Sequence, residues 1–209
     1  GPYKKDHRPR VALFIVPRNP QEKKAEESRI IVEYGDATKP RGAGPKIIAQ
    51  LVNTSAALGI GFGKSLSKNY PVIKDELKKW HDDKKAFVLG NSSLIEVDKN
   101  LYVFQMLAQK VLYSKNDEPP IRYADLKKCL NDLADKAIEL KASIHMPKIG
   151  AGQARGNWNI ILGMIHDELI MRSLKGYIYF LPGKPYDKNI KTSLALFKES
   201  STWETGKLF

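Results

Sequence analysis

The segment Lys46-Ile-Ile-Ala-Gln-Leu-Val52 constrains the fold more than any other: it is apolar almost without interruption, and after Asn53 it runs into a glycine-rich stretch. A strand with one solvated face alternates apolar and polar residues, whereas a strand apolar on both faces needs cover on both, as in a sheet flanked by two helical layers. The rest of the chain supplies that cover. Gly63–Asn69, Val72–Asp82, a stripe of Leu126, Leu130, Leu133 and Ala137 starting from Tyr123, and Trp158–Leu174 read as helices. Val11–Val16, Arg29–Tyr34, Phe87–Leu89, Ser93–Val97, Leu101–Leu107, Ser143–Met146 and Gly176–Leu181 read as strands. This alternation is that of an α/β protein.

With 209 residues, one domain with a substantial core is expected. We place it at 29–181, preceded by an N-terminal extension, 1–28, that adds one strand through a solvated connector at Gln21–Ser28. A basic tail follows at 182–209, its apolar anchor at Leu194–Phe197. Lys plus Arg number 35 against 23 Asp plus Glu, a net charge of +12, which favours an anionic partner such as nucleic acid, a nucleotide polymer or a membrane surface. The apolar runs fall short of the roughly 18 residues that span a bilayer, and the start carries no secretory h-region, so no membrane partner is expected. Cys129, the single cysteine, forms no internal disulfide and suits an intracellular, reducing compartment.

Chemistry concentrates in two loops. In Leu51-Val-Asn53 through Gly59-Ile-Gly-Phe-Gly63, a buried strand leads through alternating glycines into a helix. Glycine lets backbone N–H groups approach a ligand, and the helix dipole favours anions there, so the loop reads as a pyrophosphate cradle. The alternative is a tight turn with close helix packing. The stretch Met146-Pro-Lys-Ile-Gly-Ala-Gly-Gln-Ala-Arg-Gly-Asn-Trp158 repeats the strand, loop, helix order. Loops leaving strand carboxyl ends converge on one crevice, so the two are expected to grip one phosphorylated ligand from opposite sides. Asp36, at the end of another strand, can accept a hydrogen bond from an adenine amine or cap a turn with Thr38.

Two commoner phosphate motifs do not fit. A dinucleotide fingerprint starting at Gly59 needs glycine where Lys64 stands, and a Walker loop ending at Gly63-Lys64-Ser65 needs glycine where Leu58 stands.

The Gly35-Asp36-Ala37-Thr38 turn, Leu51-Val-Asn53 with Gly59–Gly63, and Met146–Gly152 together resemble the macrodomains, which bind ADP-ribose. Within that family, Met106–Gln109, Ser143–Gly150 and Gly156–Trp158 look most similar to the macrodomain of a chromatin remodeller amplified in liver cancer, with terminal ADP-ribose protein glycohydrolase as a second relative. The resemblance implies a three-layer α/β/α sandwich on a mixed sheet. It implies ADP-ribose as ligand rather than cofactor, alone, on protein, or at the end of a poly(ADP-ribose) chain. It also implies a nuclear setting in the DNA damage response, and a monomeric domain of a larger protein. Asp36 and Ala37 would hold adenine. Asn53 would lie by the distal ribose, and Gly59, Ile60, Gly61, Phe62 and Gly63 would give N–H groups to the pyrophosphate. Ile149, Gly150, Ala151, Gly152, Gln153, Ala154 and Arg155 would close the second loop.

Where the glycohydrolase carries a catalytic lysine and an aspartate, this chain has Gln109 and Ala154, and where hydrolytic members have a second asparagine it has Ala56. Lys110 is one residue off and on a regular strand would face away. A binding module is therefore favoured. A hydrolase or ADP-ribose-1''-phosphate phosphatase using Asn53, or Lys110 brought round by a bulge, is the rival. His145 reads as a packed core histidine, His81 and His166 as solvent-facing, Cys129 as packing, and no metal ligands are evident. Basic residues at Lys78, Lys79, Lys84 and Lys85 read as a solvated helix face or a contact for a polyanion.

Overall fold

The computed structural model describes residues 11–13, 30–111 and 118–181. Its strands are β1 (Val11–Leu13), β2 (Ile30–Tyr34), β3 (Lys46–Asn53), β4 (Ser92–Asp98), β5 (Leu101–Gln109), β6 (Ser143–Met146) and β7 (Gly176–Phe180). Its helices are α1 (Gly61–Asn69), α2 (Val72–Asp82), α3 (Tyr123–Leu140) and α4 (Trp158–Glu168), with a 3₁₀ turn at Ile170–Arg172. The strands form one sheet in the order β1-β2-β7-β6-β3-β5-β4. Neighbours from β2 through β5 run parallel, and the edge strands β1 and β4 are antiparallel to β2 and β5.

The double-sided apolarity of β3 is used as expected. Ile47 and Ala49, with Phe104, Met106 and Ala108 of β5, pack against Leu126, Leu130 and Leu133 of α3 and Ile161 and Ile165 of α4. On the other face Ile48 and Val103 meet Leu66 of α1 and Ile73 of α2, while Val52 and Leu107 meet Leu77. The result is a three-layer α/β/α sandwich on a mixed sheet.

Three local expectations need correction. Phe87–Leu89 is not a strand: the N–H groups of Ala86 and Phe87 donate to the Asp83 carbonyl at 3.1 and 2.8 Å, closing a turn. The apolar character of that run covers the end of the core, where Phe87 meets Trp80 edge-on at 5.0 Å. The last helix stops at Glu168 rather than Leu174, giving way to the 3₁₀ turn and to Ser173 at φ 63°. His166 does not face solvent: it is buried with Ile161, Leu162 and Ile165 on the inner side of α4. His81 is half-buried, with its ring 5.0 Å from that of Phe87. Of the strand expected at Val11–Val16, the described residues Val11–Leu13 form β1. Residues 14–16, the connector at 21–28 and the tail from 182, including Leu194–Phe197, lie outside the described residues.

Candidate functional site

Because β2, β3, β5, β6 and β7 are mutually parallel, their carboxyl ends share one edge of the sheet. β3 and β6 are neighbours there, yet the loop after β3 enters α1 on one face and the loop after β6 enters α4 on the other. Such a divergence opens a crevice beyond the strand ends. The two glycine loops bracket β3 from its two sides. A Cβ on Gly63 would lie 3.3 Å from Gln50 Nε2, and one on Gly150 would lie 3.7 Å from Leu51 Cδ2. Gln50 and Leu51 are successive residues of one strand and so point to opposite faces.

The first loop reaches helix two residues earlier than expected, at Gly61. Its N-cap, Ile60, supplies no side-chain cap, and no acidic residue stands in the first turn. The N–H groups of Gly59 through Gly63 therefore donate to no described residue. An uncapped, acid-free helix start favours an anion over a cation. The three glycines differ in purpose. Gly59 and Gly61 face open space, and Gly61 has φ +61°, where a side chain is strained. Gly63 instead makes room for Leu58 and Gln50. Asn53 closes the turn before this loop: its Oδ1 accepts from Ser55 N at 2.9 Å and Ser55 Oγ at 2.6 Å. Ala56 follows at φ 58°.

The second loop is pinched at its base, where Gly156 N–H donates to the Gly150 carbonyl at 2.6 Å. Neither residue has room for a Cβ: it would come within 2.8–2.9 Å of Ile121 Cδ1 and Ile161 Cδ1 at both positions. A Cβ on Gly152, at the tip, would have no neighbour within 4 Å, and the N–H groups of Ala151, Gly152 and Gln153 donate to no described residue. Ile149 and Ala154 point into the core, and the Ala154 carbonyl accepts from Ile121 N. Arg155 is exposed and donates from Nη2 to the Glu118 carbonyl at 3.1 Å. Here the helix start is already filled: Asn157 Oδ1 accepts from Asn159 N and Ile160 N at 2.9 and 3.4 Å. The two loops are thus alike in sequence order and unlike in chemistry, since among the described residues a side chain caps the second helix start and none caps the first.

At the end of β2, Asp36 Oδ1 accepts from Thr38 N at 2.9 Å and from Thr38 Oγ1 at 2.7 Å. The turn cap considered from sequence is present. It engages one carboxylate oxygen, and Oδ2 takes no described partner. Ala37 is buried beneath the turn. The loop is anchored farther on by Tyr179, whose hydroxyl accepts from Arg41 N at 3.1 Å. Behind it lies His145, fully buried, with ring nitrogens 2.7 Å from Tyr179 Oη and 2.7 Å from Ser143 Oγ. Burial and the nearby Lys46 charge lower its pKa to about 3, so it is a neutral structural histidine.

A register shift puts Asn53 opposite Gln109, with Ala108 as the extra residue of β5. Gln109 is buried, while Lys110 stands exposed just past the ladder, its N–H held by the Pro120 carbonyl at 2.9 Å. Burial pushes the Cys129 thiol up to about 12, which removes it as a nucleophile. Among the described residues no group of side chains could hold a metal ion. Sequence reading missed Asn69, Tyr70, Tyr179 and Asn157, each of which holds one of these loops. The first three act across 31 to 138 residues and leave no local pattern, whereas Asn157 before a helix is a recognisable N-cap.

No family model matches the chain. An uncharacterised 17.5 kDa protein of bacteriophage T4 is 33% identical over 147 residues, covering 65% of this chain and 88% of the phage protein. A Bacteroides thetaiotaomicron protein of unknown function is 36% identical, with a TM-score of 0.70 over 72% of this chain and 96% of its own. A macrodomain protein from Streptomyces coelicolor is 32% identical, with a TM-score of 0.63 over 71% and 96%. More distantly, Thermosipho africanus DarTG in complex with ADP-ribose shares the fold at 15% identity and a TM-score of 0.61, covering 79% of this chain and 45% of that one.

Proposed function

The chain belongs to the macrodomain family, and from that premise we propose that it recognises ADP-ribose in the crevice between the two glycine loops. The observation that carries this reading is the pairing of two unsatisfied features along α1. Free N–H groups at Gly59–Gly63 suit the pyrophosphate, and Asp36 Oδ2, near the other end of the helix, suits the adenine amine. The nine residues of α1 rise about 12 Å from first to last. That the DarTG structure of the same fold holds ADP-ribose supports the choice of ligand. The tip of the second loop, Ala151–Gln153, then closes over the distal ribose beside Asn53. The net charge of +12 supports the finer reading, that the ligand is the end of a poly(ADP-ribose) chain.

We place binding ahead of hydrolysis. Ala154 is a core methyl, Gln109 is an amide and Ala56 is a methyl, so the acid, the lysine and the second asparagine of hydrolytic relatives have no counterparts at those positions. A hydrolytic reading would have to act through Lys110, beyond the β5 irregularity, or through a water positioned near Asn53. Calorimetric titration with ADP-ribose, ADP and ATP tests the proposal. ADP-ribose is expected to bind most tightly, and Asp36→Ala to cost about 1.5–3 kcal/mol, as for a hydrogen bond to a charged group. Equal affinity for ADP and ADP-ribose would remove the distal ribose from the site.

A further inference from the structure

We infer that Asn69 and Tyr70, at the end of α1 remote from the phosphate loop, are specificity-determining positioning residues that hold the base-recognition turn and the phosphate cradle in one rigid register. The inference rests on the reading of the crevice given above. Tyr70 Oη donates to the Thr38 carbonyl at 2.7 Å, and Asn69 Nδ2 donates to Thr38 Oγ1 at 2.7 Å. Thr38 Oγ1 in turn donates to Asp36 Oδ1 at 2.7 Å, and Thr38 N–H donates to the same oxygen. Every hydrogen in this chain points the same way, from α1 through Thr38 to Asp36. Because a carboxylate oxygen only accepts, the threonine proton lies toward Asp36, which leaves the threonine oxygen to accept from Asn69.

The consequence lies in what remains of the carboxylate. With Oδ1 holding two donors, Asp36 presents Oδ2 as an acceptor in a fixed direction. An amine there gains a charge-assisted hydrogen bond, whereas a carbonyl oxygen in the same place meets a second acceptor. Tyr70 also packs, partly buried, against the cluster of Ile48, Leu66, Ile73, Ile95 and Val103, so the hydroxyl is fixed relative to the layer that contains the helix carrying the phosphate loop. Burial, together with the Asp98 and Asp36 charges, raises its pKa, which keeps the hydroxyl a donor. Thr38 is itself buried, so water does not compete for its hydroxyl. Without the tie at Asn69 and Tyr70, Asp36 would keep its local turn and the loop its anchor at Tyr179, but the hydrogen-bonded link from that turn to the helix carrying the phosphate loop would be gone.

The test compares ADP-ribose with its hypoxanthine analogue, in which an oxygen replaces the exocyclic amine. Calorimetry is run on the whole chain and on Asn69→Ala/Tyr70→Phe, Thr38→Ser and Asp36→Ala variants, with thermal melting to confirm folding. The parent and Thr38→Ser, which keeps the hydroxyl, are expected to prefer ADP-ribose at least tenfold. The double variant should fall below threefold by losing ADP-ribose affinity while holding the analogue within twofold. A preference that survives in the double variant overturns the inference, and so does a parallel loss for both ligands, the mark of general damage. Preference unchanged in Asp36→Ala, or absent from the parent, overturns the base assignment itself and the inference with it.

Discussion

Nδ1 of His145 lies 2.7 Å from the hydroxyl of Tyr179, and that hydroxyl accepts the amide of Arg41, so a buried imidazole stands behind the loop that carries Asp36. The ring is also stacked on Tyr177, with centroids 4.7 Å apart.

This placement predicts a pH dependence of stability. The folded pKa of about 3 lies below the unfolded value near 6.5, so between those two the unfolded chain binds the extra proton. The contribution is complete above pH 6.5 and is lost as pH falls toward 3, with a slope of at most about 1.4 kcal/mol per pH unit. Urea unfolding at a series of pH values should show this slope. His145→Gln, which keeps hydrogen-bonding capacity but does not titrate, should flatten it. An unchanged slope would assign the acid sensitivity to other groups.

The first loop can be tested without disturbing its backbone. Gly61 has φ +61°, so a side chain there would strain the helix start as well as fill the proposed phosphate path. Gly59 has open space and no such constraint. Gly59→Glu should reduce ADP-ribose affinity more than tenfold with a melting temperature within about 2 °C of the parent. Normal affinity in a folded Gly59→Glu protein would mean the phosphates do not lie along this loop.

In the second loop, position decides the cost of one methyl group. A Cβ at Gly156 would stand 2.5 Å from the Gly150 carbonyl oxygen, and Gly156→Ala should lose about 2–3 kcal/mol of folding stability. Gly152→Ala, with nothing within 4 Å, should be neutral to within about 0.5 kcal/mol, as judged by chemical denaturation.

Hydrolysis should be slow or absent. ADP-ribosylated protein incubated with the chain is expected to show no multiple-turnover release of ADP-ribose, because Gln109 and Ala154 offer neither a nucleophilic amine nor an acid. Robust release abolished by Lys110→Ala would make Lys110 the nucleophile. Release that survives that substitution would point to water activated near Asn53.

What the sequence determined by itself was whatever local periodicity and residue chemistry can encode. β3 is apolar on both faces, and that alone required the two helical layers that enclose it. The stripe from Leu126 to Ala137 placed α3, and the order strand, glycines, helix placed both loops at strand carboxyl ends. Only the tertiary structure decided how similar pieces were used. Phe87–Leu89 has strand-like composition but turns over the core's edge, because Phe87 N–H goes to the Asp83 carbonyl and Val88 N–H to the Ala86 carbonyl, within the turn rather than to a neighbouring strand. Two similar glycine loops part company because Asn157 fills one helix terminus and no described residue fills the other. His166 turned inward because α4 buries more of its circumference than its own polar residues suggest. Asp36, readable as either a cap or a ligand, owes its fixed orientation to Asn69 and Tyr70, more than 30 residues away. Side-chain periodicity reports on neighbours three or four positions along the chain. The direction of a carboxylate is set by donors that the fold brings from elsewhere.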